Sequence, residues 1–334
     1  MPPIDAPAPT VRRALVLGLT GAWGEAIARA LLEDGYRVRA LVRSIDRARP
    51  VAERLPGPVE LVEGDVHDAA ALPGASRGVN VVAHGVNVPY PRWAAEAETI
   101  AHRVADAAAQ VGATILFPGN VYNYAPSVGI TPQTAPAPPT ELGRIRVRVE
   151  EILTGATQRG ARLIVLRGGD FFGGGSRTSW MAHVLERAID GGAIRMPSDD
   201  DVPHAWCYLP DFACAHVALL NRANRLPQAA VFHFAGHVLT GRQLVEALRD
   251  ALDDRSRPAR RVPWPLLAVM GLFNAELRLV HRMRYLWQQP VLLDESALRT
   301  VLGVVPRTDL RGAVCDEVAR LRSAPMGATA RAAA

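Results

Sequence analysis

The stretch VLGLTGAWGEAIARALLEDGYRVRALVRS constrains the fold more than any other part of the chain. A short apolar run leads into Gly18, Gly21 and Gly24, and an amphipathic helical pattern follows at once. A second β-rich run begins about fifteen residues after the glycines. Gly18 permits a sharp turn, Gly21 leaves room for an anion against backbone amides, and Gly24 lets helix and strand pack closely. Free N–H groups and the helix dipole then favour negative charge at that point.

The alternation continues. The runs 14–19, 36–43, 59–65, 80–86, 114–120 and 162–169 read as strands, with helical patterns between them. Their nearly all-apolar character is that of strands covered on both faces. The expected fold is α/β, a Rossmann-type doubly wound parallel sheet with a smaller C-terminal substrate lobe. Its expected parts are a dinucleotide-binding core over 13–170 and a mixed lobe with returning sheet elements, 231–237 among them, over 171–322. Disordered tails are expected over 1–12 and 323–334.

The end of the second strand addresses cofactor choice. NAD-binding folds place a carboxylate there to hold the ribose 2′-hydroxyl, but this chain has Arg43 and then Ser44. A guanidinium pairs with a 2′-phosphate that a carboxylate would repel. NADP(H) is therefore expected. Asp65 reads equally as an adenine neighbour or a helix cap.

Composition excludes other classes. All 38 basic residues are arginine, the net charge is +5, and the arginines read as scattered, without interleaved aromatics, so nucleic-acid binding is not expected. Three cysteines form no CxxC and no His/Cys cluster has zinc spacing, so no metal is expected. The apolar run VPWPLLAVMGLFNAELRLV is interrupted by Pro265, Asn274, Glu276 and Arg278 and is too short to span a bilayer. A cytoplasmic protein with no membrane partner is expected, a monomer or homodimer acting on a small molecule.

Several segments together resemble the extended or atypical short-chain dehydrogenases/reductases of the NAD-dependent epimerase/dehydratase type. TGAWG is similar to that family's T-G-x-x-G, EGDVHD to its adenine-side aspartate segment, and FPGNVYNYAP to the segment ending V-Y-G. LRGGDFFGGG, HAWCYLPDFACAHVALL and LGVVPRTDL resemble its later segments. The resemblance implies cofactor contacts at Gly18, Thr20, Gly21, Trp23, Gly24, Arg43, Ser44, Asp65, Val66, His84, Gly85 and Pro118. It also implies a catalytic Ser or Thr, followed by Tyr-x-x-x-Lys on the next helix. In this chain the Ser/Thr position falls on Pro118. With Glu150 as the family's helix glutamate, Leu142 stands for Tyr and Arg146 for Lys. A chain without lysine cannot supply the pair in any register.

The expected donors are therefore Tyr122 and Tyr124, which leave the fifth strand and whose phenols a nearby cation would bring closer to neutral pH. Asn120 is expected to orient a carbonyl or water, and Arg146 either to stabilise an anion or to lie on a solvated face. Asp170, Phe171, Phe172, His204 and Tyr208 are expected to meet the substrate. The expected activity is NADP-dependent reduction of a carbonyl or activated double bond in a small, largely apolar substrate. The alternatives are a nucleotide-sugar epimerase/dehydratase and a catalytically silent NADP-binding sensor.

Overall fold

A computed structural model describes residues 12–323; of the expected tails at 1–12 and 323–334, only Arg12 and Ser323, the last residue of a helix, are among the described residues. The strands are β1 (Arg13–Leu17), β2 (Arg37–Val42), β3 (Val59–Glu63), β4 (Val81–His84), β5 (Thr114–Asn120), β6 (Ser127–Ile130) and β7 (Arg162–Gly168). After them come β8 (Asp170–Phe172), β9 (Ile194–Met196), β10 (Pro203–Tyr208), β11 (Ala229–His233), β12 (His237–Thr240), β13 (Ala259–Arg261) and β14 (Val291–Leu293). The helices begin with α1 (Ala22–Glu33), α2 (Ile45–Glu53), α3 (Ala71–Ala75), α4 (Trp93–Val111), α5 (Glu141–Gly155), α6 (Trp180–Leu185) and α7 (Leu209–Leu220). They continue with α8 (Gly241–Ala251), α9 (Trp264–Met270), α10 (Ala275–Arg282), α11 (Tyr285–Gln288), α12 (Ser296–Leu302) and α13 (Leu310–Ser323).

Seven parallel strands form the main sheet in the order β11-β7-β5-β4-β1-β2-β3. Successive side chains point to opposite faces, and both faces are dry over the central strands, while the edge strand β3 is only partly covered. Leu15, Leu17, Ile115, Phe117, Leu163 and Val165 join one core with α4 and α5. Their neighbours Ala14, Val16, Leu116, Ile164 and Leu166 join a second core with α1 and α7. α4 shows how sequence spacing becomes burial: Ile100, Ala101, Val104, Ala105 and Ala108 recur every three or four residues and all face the sheet. The strand order reverses between β1 and β4, and the crevice at their carboxyl ends is where open α/β sheets take ligands.

The later elements build small sheets over that edge. β10 pairs antiparallel with β12 and parallel with β8, β13 pairs with β9, and β14 pairs with β6. This smaller part covers the sheet's carboxyl edge, while β11 inserts beside β7 in the main sheet.

Candidate active site

The three-glycine loop is held by contacts that only glycine allows. Gly18 has φ of 83°, and a Cβ there would lie 2.6 Å from the Gly85 carbonyl oxygen across the crevice. A Cβ on Gly24 would lie 1.9 Å from the Gly18 carbonyl oxygen. The Gly21 N–H donates to that same carbonyl at 2.9 Å. α1 starts directly behind the loop, with no side chain capping its first N–H groups, so an anion such as a pyrophosphate fits them. Thr20 and Gly21 are exposed here, while Trp23 is buried, its ring edge-on to His216. Trp23 is thus a packing residue against Gly85, and any cofactor contact in this stretch falls to its backbone.

At the tip of β2, Arg43 is exposed and the Ser44 hydroxyl accepts the Arg47 N–H, capping α2. Asp65 also closes a local turn, accepting the His67 N–H at 2.9 Å. Val66 is half-buried, and its carbonyl accepts from Arg103 at 2.9 Å.

α5 begins with Thr140 accepting the Gly143 N–H. Leu142 is buried, and Arg146 turns inward, while Arg144 and Arg148 are exposed. The solvated-face expectation for Arg146 is thereby corrected. Its guanidinium donates to the Pro118 carbonyl at 2.5 Å and lies over Phe117 and Trp93, 4.6 Å and 5.7 Å from the ring centroids. Burial pulls it below the usual arginine range, with Glu150 opposing. It remains a cation at neutral pH and cannot shuttle protons. Arg146, Phe117, Trp93 and His84 line one small cavity. Burial, and next the Arg146 charge, push His84 down to about 3, so its imidazole is neutral.

The two strand-five tyrosines have different fates. The Asn120 side chain accepts the Tyr122 N–H at 3.1 Å and so fixes the turn. Tyr122 then meets Tyr90, hydroxyl to hydroxyl, at 2.7 Å. Burial pushes Tyr90 up to about 12 and Tyr122 well above its ordinary value. The expectation of phenols nearer neutrality is corrected: desolvation outweighs the Arg146 cation. Tyr124 is also buried, with its hydroxyl engaged inside the protein. Its hydroxyl accepts from Arg167 at 2.6 Å inside the protein, and Arg167 forks onto the Glu150 carboxylate. Burial works against the Arg167 charge, and Glu150 outweighs it, holding the guanidinium above its usual value.

On the opposite wall, His204 Nε2 lies 2.7 Å from Asp170 Oδ2, and Nδ1 lies 3.1 Å from the Leu286 carbonyl. A neutral imidazole has one N–H, yet both nitrogens face acceptors. His204 also stacks on Trp287 with ring centroids 3.9 Å apart. Tyr208 and Phe172 do not face this space. The Tyr208 hydroxyl donates to Asp316 at 2.8 Å, and Phe172 is buried against the Tyr208 ring. Phe171 is half-buried against Phe212.

Two residues absent from the sequence reading complete the cluster. Tyr90 follows β4 in a short 3-10 turn, Tyr90–Arg92. Tyr285 opens α11 with a buried hydroxyl that has no partner among the described residues, and burial followed by Asp170 raises it. Asp170 acts electrostatically on Tyr90, Tyr122 and Tyr285, which places one acid beside three phenols. Position alone gave no signal for Tyr285, which lies far along the chain from the motif segments. Among the described residues no group of His, Cys, Asp and Glu has the geometry to hold a metal ion.

The fold is shared with sugar-nucleotide enzymes. UDP-glucuronic acid 4-epimerase from Bacillus cereus, solved with NAD, superposes with a TM-score of 0.74 at 14% identity, over 93% of this chain and 96% of that one. The dTDP-glucose 4,6-dehydratase DesIV from Streptomyces venezuelae, with NAD bound, gives 0.73 at 19% identity, over 94% and 97%. MoeE5 in complex with UDP-glucose and NAD gives 0.72 at 17%, over 93% and 98%. A family model matches residues 14–235, two-thirds of the sequence. The chain belongs to the NAD dependent epimerase/dehydratase family.

Proposed function

We propose that the protein is an NADP-dependent oxidoreductase that reduces a carbonyl or activated double bond in a small, largely apolar substrate. The observation that carries this reading is the buried Tyr90–Tyr122 hydroxyl pair, in which both phenols are held protonated. A protonated phenol donates readily to an alkoxide, which is far more basic, but accepts a proton from an alcohol poorly. The site is thus biased towards reduction.

A reduced nicotinamide dinucleotide, once bound, would supply the hydride. The glycine loop and the uncapped start of α1 suit its pyrophosphate, and Arg43 suits a 2′-phosphate. Tyr122 would donate its hydroxyl proton to the oxygen of the reduced substrate. Tyr90, one hydrogen bond away, holds the resulting phenolate until a proton returns. Arg146 adds a fixed buried cation behind them. Trp287 and Trp206, which flank His204, are fully buried and pack this wall from behind.

A second reading, nucleotide-sugar epimerisation or dehydration, is favoured by the likeness to enzymes solved with UDP-glucose or NAD. It requires an initial alcohol oxidation, and hence a base that these phenols make poorly. Incubation with NADPH and a panel of aldehydes, quinones and enones, beside NAD⁺ with UDP-glucose and dTDP-glucose, separates the two. Cofactor consumption only in the first set supports reduction; turnover only in the second overturns it. Tight NADPH binding without turnover in either set indicates a sensor.

Two results are expected within this reading. Tyr122→Phe lowers turnover at least about tenfold, the lower range of general-acid effects, with little change in cofactor affinity. Undiminished turnover in that variant rules Tyr122 out as the donor. Arg43→Ala weakens NADPH binding by about ten- to a hundredfold, the worth of a charge-assisted phosphate contact. NADH binding stays as it was, and equal wild-type affinity for both cofactors refutes the assignment.

A further inference from the structure

One surface carries a function that the reading above does not absorb. α9 and α10 form a tight helical hairpin, turned at Gly271, where a Cβ would lie 3.0 Å from the Arg278 Cα. Its convex tip exposes Leu266, Val269, Met270, Leu272 and Phe273, with Phe273 91% exposed and Leu272 71%. These five make up most of the large apolar side chains exposed among the described residues. Such a cluster on a water-soluble surface marks an interaction site.

The charge around it narrows the partner. Residues 255–284 contain seven arginines against one acid, Glu276, more positive charge than the whole chain's net +5. Seven of the 38 arginines thus fall within about a tenth of the chain. Asp250, Asp254, Asp199 and Asp200 pair with Arg255, Arg257 and Arg261. Arg260, Arg278 and Arg282 are exposed, the last two on α10 itself.

We infer that the α9–α10 hairpin docks the protein on an anionic lipid surface, the Leu272–Phe273 tip entering the headgroup–acyl boundary and the arginines meeting lipid phosphates. An amphipathic element with arginines on its polar side and Phe and Leu on the other lies in a bilayer interface in this way. Helices of seven and eight residues reach only about 10–12 Å, and no described helix is long and apolar enough to cross a membrane. The docking is therefore peripheral. A second copy of the chain fits poorly, because a two-fold contact through this tip would set one arginine rim against another.

The hairpin also borders the candidate site. α10 packs against the Tyr90 turn, Glu276 acts electrostatically on Tyr90, and Tyr285 follows three residues after α10 ends. A lipid-docked tip would present the site mouth to molecules dissolved in the bilayer, in keeping with an apolar substrate. The docking itself does not depend on the proposed activity.

Sedimentation of the full chain with vesicles tests it without any turnover. With phosphatidylcholine vesicles containing phosphatidylserine, the wild type is expected to pellet, less so as salt rises and far less with phosphatidylcholine alone. Leu272→Ser/Phe273→Asp is expected to cut binding at least about tenfold, and Arg278→Gln/Arg282→Gln by about fivefold per arginine. All four side chains are exposed, so the variants should melt as the wild type does. A wild type that stays in solution with both vesicles overturns the inference, as does a tip variant that binds equally well. Lipid-free self-association abolished by the tip substitutions would also overturn it, making the patch an interface between copies.

Discussion

Arg167→Met is expected to cost the folded protein about 3–5 kcal/mol, because it strands the Glu150 carboxylate in the interior. The two side chains are only 7% and 9% exposed, and Arg167 also holds the Tyr124 hydroxyl. Losing the guanidinium leaves two buried polar groups short of a partner. Replacing both members, Glu150→Leu with Arg167→Met, is expected to recover most of the loss, since no unpaired charge then remains. Urea unfolding of the wild type, both single variants and the double variant gives the coupling. A single variant within about 0.5 kcal/mol of wild type would show that the pair is not closed to solvent.

Acidification from pH 7 to pH 5 is expected to remove roughly 5 kcal/mol of stability, a large part of what a domain ordinarily has. Burial first of all holds three histidines low: His84 and His216 at about 3 and His233 at about 4. The unfolded chain takes up protons below about 6.5, while the folded chain resists until far lower pH. Their stabilisation is thus complete above about pH 6.5 and is lost as pH falls from there towards about 3–4. Glu317 works in the opposite sense, since burial raises it and the folded state then favours its protonated form on acidification. His216→Leu, in an apolar setting between Trp23 and Phe212, should shrink the pH 7 to pH 5 loss by about a third. Unfolding midpoints in guanidinium chloride at the two pH values provide the check, and equal midpoints would refute it.

The sheet was legible because each of its strands is a local apolar run and the glycine loop is a local motif. The inward turn of Arg146 was half-legible: the spacing to Glu150 fixed its register, but only packing on Phe117 and Trp93 shows which way it points. The phenols were misread because desolvation is a property of the surroundings, and a cation in the neighbouring sequence says nothing of how much water remains. The burial of Tyr124 was missed for a related reason, since its partner Arg167 lies 43 residues away on another strand. Tyr285 and the basic hairpin sit in the loosely patterned later region. There, reading the apolar run only as a failed membrane span hid what its exposed tip offers.

The β6–β14 pairing has a consequence for the order in which the molecule assembles. β6 begins three residues after Tyr124, and β14 begins three residues after the helix opened by Tyr285 ends. Pairing them closes a loop of about 160 residues, among the most entropically demanding contacts in the chain. The glycine loop and β1–β5 can form from neighbours in sequence, but Tyr285 comes close enough to act electrostatically on Tyr122 only after that long closure. On the ribosome, a dinucleotide cradle can thus exist before the chemistry has a place to happen, and the last hundred residues to emerge turn a binding fold into a reaction site.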